Sequence, residues 1–80
     1  MAYFHYKNKN MKGKRLVEAL EAKYKSEMLD AIARFEVYLT NPVGIGEHPQ
    51  HTEEMDKIVG QYMDGSDKLN ALKEMVDTLK

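Results

Sequence analysis

The sequence predicts an all-α protein, an antiparallel hairpin of two long helices with an extended N-terminal arm. Three observations lead there. Apolar residues recur every three or four positions through two long stretches; both prolines and two of the five glycines crowd the stretch between them; and the first ten residues show no helical period.

The arm, residues 1–11, opens with "MAYFHYKNKN". Tyr3, Phe4 and Tyr6 are bulky aromatics with an extended preference, followed by polar Lys and Asn. A helix over residues 12–40 follows. Its apolar line Leu16, Leu20, Tyr24, Met28, Ile32, Phe35, Leu39 steps mostly by four, which drifts more slowly than a heptad and argues against a regular coiled-coil strand. From Met28 onward a second line, Leu29, Ala33 and Val37, runs beside the first. That stripe is wider than one partner helix can cover.

Residues 41–49, within "NPVGIGEHPQH", form the turn. Asn41 suits a left-handed helix end, Pro42 blocks continuation, Gly44 and Gly46 admit angles closed to other residues, and Pro49 fits the first turn of the next helix. Only Glu47, His48 and His51 are left without a structural duty. The second helix, residues 50–79, carries the strongest pattern: Met55, Ile58, Tyr62, Gly65, Leu69, Leu72, Val76 and Leu79 alternate steps of three and four as an a/d heptad seam. Gly65 breaks its apolar character, and a split there with Asp64 or Ser66 as cap is the alternative. Because the seam stays in phase across Gly65, one continuous helix with room for a kink is the expectation. The glycine would then let a neighbouring helix approach closely.

Eighty residues make one domain, and a chain this short buries only about 60% of its unfolded surface when it folds alone. With no cysteine, disulfides, thiolate metal sites and cysteine nucleophiles are excluded together. Partners are the remaining support, and the surplus line Leu29, Ala33, Val37 is the expected association surface of a homo-oligomer, with Tyr3, Phe4 and Tyr6 anchoring the arm. A further protein partner is expected, its identity open. No apolar run reaches the roughly 20 residues of a membrane span, and the start lacks a signal peptide's apolar block, so a cytoplasmic protein without a membrane role is expected.

A net charge of -1 conceals an uneven distribution. Lys7, Lys9, Lys12, Lys14 and Arg15 give the first fifteen residues +5 with no acid, which leaves seven bases against thirteen acids in the remainder. Basic residues with Tyr3, Phe4 and Tyr6 resemble the chemistry that binds single-stranded nucleic acid, but the acidic body would repel a polyanion, and nucleic acid is not favoured. The same arm suggests a second reading, a small anionic ligand such as a nucleotide-like signal. Tyr3 and Tyr6 would stack, Lys7, Lys12, Lys14 and Arg15 would hold phosphate, and the Gly44/Gly46 turn with His48 and His51 would close one side.

His48 and His51 stand three apart, a spacing that can share a metal, yet the chain is still turning there and no metal site is expected. Glu47 beside His48 lacks a nucleophile or orienting group, so neither an enzyme nor a cofactor is predicted. "GIG" before a helix is too short to be a phosphate fingerprint, and Glu53, Glu54 and Asp56 already occupy that helix end. Methionines 28, 55, 63 and 75 read as filling along the seams, and Tyr24, Tyr38 and Tyr62 as seam-edge residues with wet hydroxyls.

The stretch "FEVYLTNPVGIGEHPQHTEEMDKIVGQYMDGSDKLNAL", Phe35 to Leu72, resembles small uncharacterised helical proteins of tailed bacteriophages, notably those of marine bacteria. In these a helix ends in a similar turn, and an acidic helix with a late "DKL" follows. The resemblance covers about half the chain and gives the basic aromatic arm no counterpart. It implies a viral origin, with a place in the virion or the host cytoplasm, and no biochemical activity. Together these readings predict a non-enzymatic interaction protein, either a minor virion component or a modulator of a host factor.

Overall fold

A computed structural model describes residues 13–40 and 51–79. They form α1, Lys14–Thr40, and α2, His51–Leu79, packed against each other as a hairpin. The predicted arm and turn lie outside the described residues. Both helices lie inside the ranges expected, 12–40 and 50–79.

α2 runs unbroken through Gly65, which settles the choice between one helix and two. Its buried residues are Ile58, Gly65, Leu69 and Val76, with Met55 and Leu72 half-buried, so the heptad seam is the packed face. Tyr62, at 40% exposed, and Leu79, at 82%, lie at its edge and its end.

α1 departs from the predicted line. Its inward residues are Val17, Glu21, Tyr24, Met28, Ala31, Phe35 and Tyr38, an alternation of four and three; Met28 and Ala31 are buried and the others half-buried. Leu16, Ile32 and Leu39 are instead 78%, 51% and 64% exposed. The reason is geometric. A step of four residues advances about 40° beyond a full turn, so a line built on fours walks round the helix, whereas contact with a heptad partner must follow steps averaging about 3.5. α1 therefore packs as a coiled-coil strand, accepting a glutamate and an alanine on its seam and leaving larger aliphatics outside.

The two seams come closest at Gly65. A Cβ placed there would lie 2.8 Å from Met28 Cγ and 3.1 Å from the Tyr24 carbonyl oxygen, so only a glycine lets the backbones meet at this distance. Around this point Met28, Leu69 and Val76 form the core, with Val17, Tyr24 and Leu72 packed against it. Polar contacts add a second tie. The Gln61 amide donates to the Glu27 carbonyl oxygen at 2.8 Å and to Asp30 Oδ2 at 3.0 Å, and Arg34 donates to Gln61 Oε1 and to Asp30 Oδ2. The ion pairs Lys23–Glu27, Lys25–Glu21, Arg34–Asp30, Lys57–Glu54 and Lys68–Asp64 lie within single helices and contribute only a few tenths of a kcal/mol each.

The helix starts differ in quality. α2 has Glu53 and Glu54 in its first turn, where carboxylates complement the positive end of the helix dipole. α1 has no acid there and begins with Lys14 and Arg15, which oppose it; its first turn is closed by the Val17 N–H donating to the Gly13 carbonyl at 3.1 Å.

Two glycine substitutions should therefore act with opposite sign. Gly65→Ala gains helix propensity but forces Met28 and the Tyr24 backbone apart, and is expected to lower stability by about 1–3 kcal/mol. At Gly60 nothing lies within 4 Å of an added Cβ, so Gly60→Ala should raise stability by about 0.5–1 kcal/mol. Urea titration followed by circular dichroism measures both; equal shifts of the same sign would remove the special role of Gly65.

Candidate interaction surface

Two of the apolar residues displaced from the α1 seam, Ile32 and Leu39, lie together beside the seam residues Ala31 and Phe35. Ile32, Phe35 and Leu39, with Ala31 and Glu36, face Ile58, Val59 and Tyr62 of α2 across an open groove of about 300 Å³ beside the seam. Its walls are almost wholly apolar, and Glu36 is the one formally charged residue among them. Val59 is 48% exposed, and Met63, one turn on, is 54% exposed. In a small protein such exposed aliphatics on adjacent helices form one continuous patch, whereas isolated surface leucines would need no explanation.

The sequence placed the association surface at Leu29, Ala33 and Val37. All three are exposed, Leu29 at 57% and Val37 at 48%, so the surplus line does remain outside the hairpin. The groove, however, is built on α1 from Ile32 and Leu39, which the spacing assigns to the packed face, beside the seam residue Phe35. The available signal was Ala31: a heptad drawn through it puts Ile32 on the flank. Large side chains outweighed a small one in the reading.

The residues expected to contact an anion are less complete. Tyr3, Phe4, Tyr6, Lys7, Lys12, Gly44, Gly46 and His48 lie outside the described residues. Lys14 and Arg15 open α1, the first half-buried and the second exposed. His51 opens α2 half-buried, and its ring stands edge-on to Tyr38 with centroids 5.7 Å apart and planes at 78°. The structure thus gives His51 the packing duty that the sequence did not reveal. Tyr24 and Tyr38, expected at the seam edge, are half-buried on the inward line of α1, and Lys68 Nζ lies 6.0 Å from the centre of the Tyr24 ring.

Two groups carry shifted acidities, both for structural reasons. The Asp30 carboxyl lies below its ordinary value, chiefly because the Gln61 amide donates to it; Arg34 acts in the same direction and desolvation opposes. The Lys68 amine is held above its ordinary value by its hydrogen bond to Asp64 and by that carboxylate's charge. Both belong to contacts that fasten helix to helix or turn to turn, and neither faces the groove. Among the described residues, no group of three or more His, Asp or Glu could hold a metal ion, and no helix is long and apolar enough to cross a membrane.

Charge is distributed unevenly around the groove. Between Arg34 and Lys57 the sequence has no Lys or Arg, while Glu36, Glu47, Glu53, Glu54 and Asp56 fall in that interval. Among the described residues, Glu36, Glu53, Glu54 and Asp56 therefore share that interval, which includes part of the groove's wall, with no Lys or Arg. Comparison with protein families, with curated proteins and with solved structures finds no match to the chain in any of the three.

The Asp30 shift has a defined pH signature. A carboxyl lowered on folding stabilises the fold above its unfolded value, about 3.9, and that contribution disappears as pH falls through the folded value. The stability difference between the native chain and Asp30→Asn should be largest near neutrality and close as pH drops below about 4. Gln61→Met, which removes the donor, should cost about 0.5–1.5 kcal/mol at neutral pH and shrink the effect of Asp30→Asn. Urea titrations of the single and double variants across pH read both effects; additivity would mean the two side chains do not act together.

Proposed function

We propose that this chain is a non-enzymatic interaction protein that associates with itself and docks on another protein through the apolar flank of its hairpin. The observation that carries the reading is the groove. Two helices leave Ile32, Leu39, Val59 and Tyr62 facing water on one flank, with Leu29, Ala33 and Val37 exposed on the outer side of α1. The only buried side chains of any size among the described residues are Met28, Ile58, Leu69 and Val76, joined by Ala31 and Gly65. So thin a core leaves more to gain from covering the flank than from any contact within one hairpin.

The resemblance to bacteriophage proteins gives this reading a setting, a minor virion component or a modulator of a host factor. The groove's chemistry suits a protein surface better than a nucleotide-like ligand, because its walls offer no cation to a phosphate. Ligand capture would have to come from the arm and turn, and nucleic acid binding from the arm alone.

Sedimentation velocity over a range of protein concentrations tests the proposal. The native chain should show concentration-dependent association, and Ile32→Glu combined with Val59→Glu should weaken it at least tenfold, about 1.4 kcal/mol, with helical content unchanged. Both sites are half-exposed, so the hairpin tolerates the charges. A monomer at every concentration would overturn self-association. Native mass spectrometry of protein purified from cells separates the alternatives: a bare oligomer is expected, while a co-purifying mass of several hundred daltons would favour the ligand reading.

A further inference from the structure

We infer that the groove's occupant is the basic aromatic arm of a second copy, exchanged reciprocally between two hairpins lying antiparallel. This rests on the self-association proposed above and adds to it the segment that fills the groove and the direction in which the copies lie.

Chemistry is the first argument. The groove is an apolar trough with Glu36 on its wall, at a hairpin end where Glu53, Glu54 and Asp56 are also placed. The arm presents the complement in one short run: Tyr3, Phe4 and Tyr6 to fill an apolar trough, then Lys7, Lys9 and Lys12 to meet acidic side chains beside it. Aromatic anchors flanked by charges opposite in sign to the receiving surface give both affinity and orientation. Acids also stand at the arm's own end of the hairpin, Glu18 and Glu21 on α1 and Glu74 and Asp77 on α2, but Lys14 and Arg15 begin α1 there, whereas Lys and Arg are absent between Arg34 and Lys57.

Reach is the second argument, and it favours a neighbour's arm over the chain's own. From Gly13, Ile32 lies 19 residues along α1 and Leu39 lies 26, distances of about 28 and 39 Å at 1.5 Å per residue. Fully extended, the chain from Gly13 back to Tyr6 spans at most about 24 Å and back to Tyr3 about 34 Å. Within one chain, the aromatic rings come level with Leu39 at the far end of the groove only if the arm is drawn out almost straight along α1. In an antiparallel pair, each Gly13 lies beside the other copy's turn end. All three aromatics are then within range, and the two-fold relation makes the exchange mutual.

The test uses the full-length chain. In a mixture of carbon-13-labelled and unlabelled protein, isotope-filtered nuclear Overhauser spectra should show ring protons of Tyr3, Phe4 and Tyr6 from one chain close to methyl groups of Ile32, Leu39 and Val59 from another. The combined variant Tyr3→Ser, Phe4→Ser, Tyr6→Ser should lose these contacts and associate at least tenfold more weakly, with helical content unchanged. Charge should matter too: Glu36→Lys should weaken association, and rising salt should weaken the native pair. Ring-to-methyl contacts that are absent, or that arise only within one chain, would overturn the inference. So would an arm variant whose association stays within twofold of native. If that variant associates normally while Ile32→Glu with Val59→Glu does not, the arm assignment falls and self-association through the groove stands. A native chain that is monomeric throughout overturns both.

Discussion

The hairpin depends on one close approach, the backbone of α2 at Gly65 set against Met28 and the Tyr24 carbonyl of α1. Without a side chain at this position the helices meet at a distance that no other residue permits, and the register of everything nearby follows. One turn before Gly65, Gln61 reaches the Glu27 carbonyl; just after it, Lys68 comes over the Tyr24 ring and Leu69 enters the core. A slip by one turn would bring a bulky residue to the crossing and break each of these contacts together. Specificity here comes from an absence of atoms, and the polar clamp around Gln61 supplements it.

The same close packing explains why so much apolar surface stays outside. Two helices in a narrow seam offer each other about two residues in seven, and on α1 the seam includes the small Ala31 and the charged Glu21. Leu16, Ile32 and Leu39 sit one position away from the seam residues Val17, Ala31 and Tyr38, and an offset of one residue rotates a side chain by about 100°. They could enter the interface only if α1 were rolled about its axis, which would remove Met28 from Gly65. The groove is therefore a consequence of the crossing, and its composition follows from which side chains the crossing excludes.

Much of this was legible in the residues. The two helices, the continuity of α2 through Gly65 and the seam of α2 all follow from spacing, because a heptad of large aliphatic residues has few other readings. The seam of α1 was hidden. Its line of large residues, Leu16, Leu20, Ile32 and Leu39, runs at a different pitch from the contact, and the true line includes an alanine and a glutamate that hydrophobicity undervalues. The groove was missed for the same reason, since its wall is the line mistaken for the core. Gln61 and its partners could not be anticipated either, because a hydrogen bond from one helix to the other's backbone depends on an interhelical register that one sequence does not display. The edge contact between Tyr38 and His51 joins residues on either side of the turn, and only the packed hairpin brings them together.

The start of α1 has a mechanical consequence. Its first turn carries Lys14 and Arg15 against the helix dipole and has no acidic residue to offset them, so the dipole lends this turn no support. A residue that leaves the helix lengthens the chain by about 1.9 Å, the difference between an extended and a helical rise. Loss of that single turn would therefore lengthen the chain ahead of the hairpin by about 7 Å.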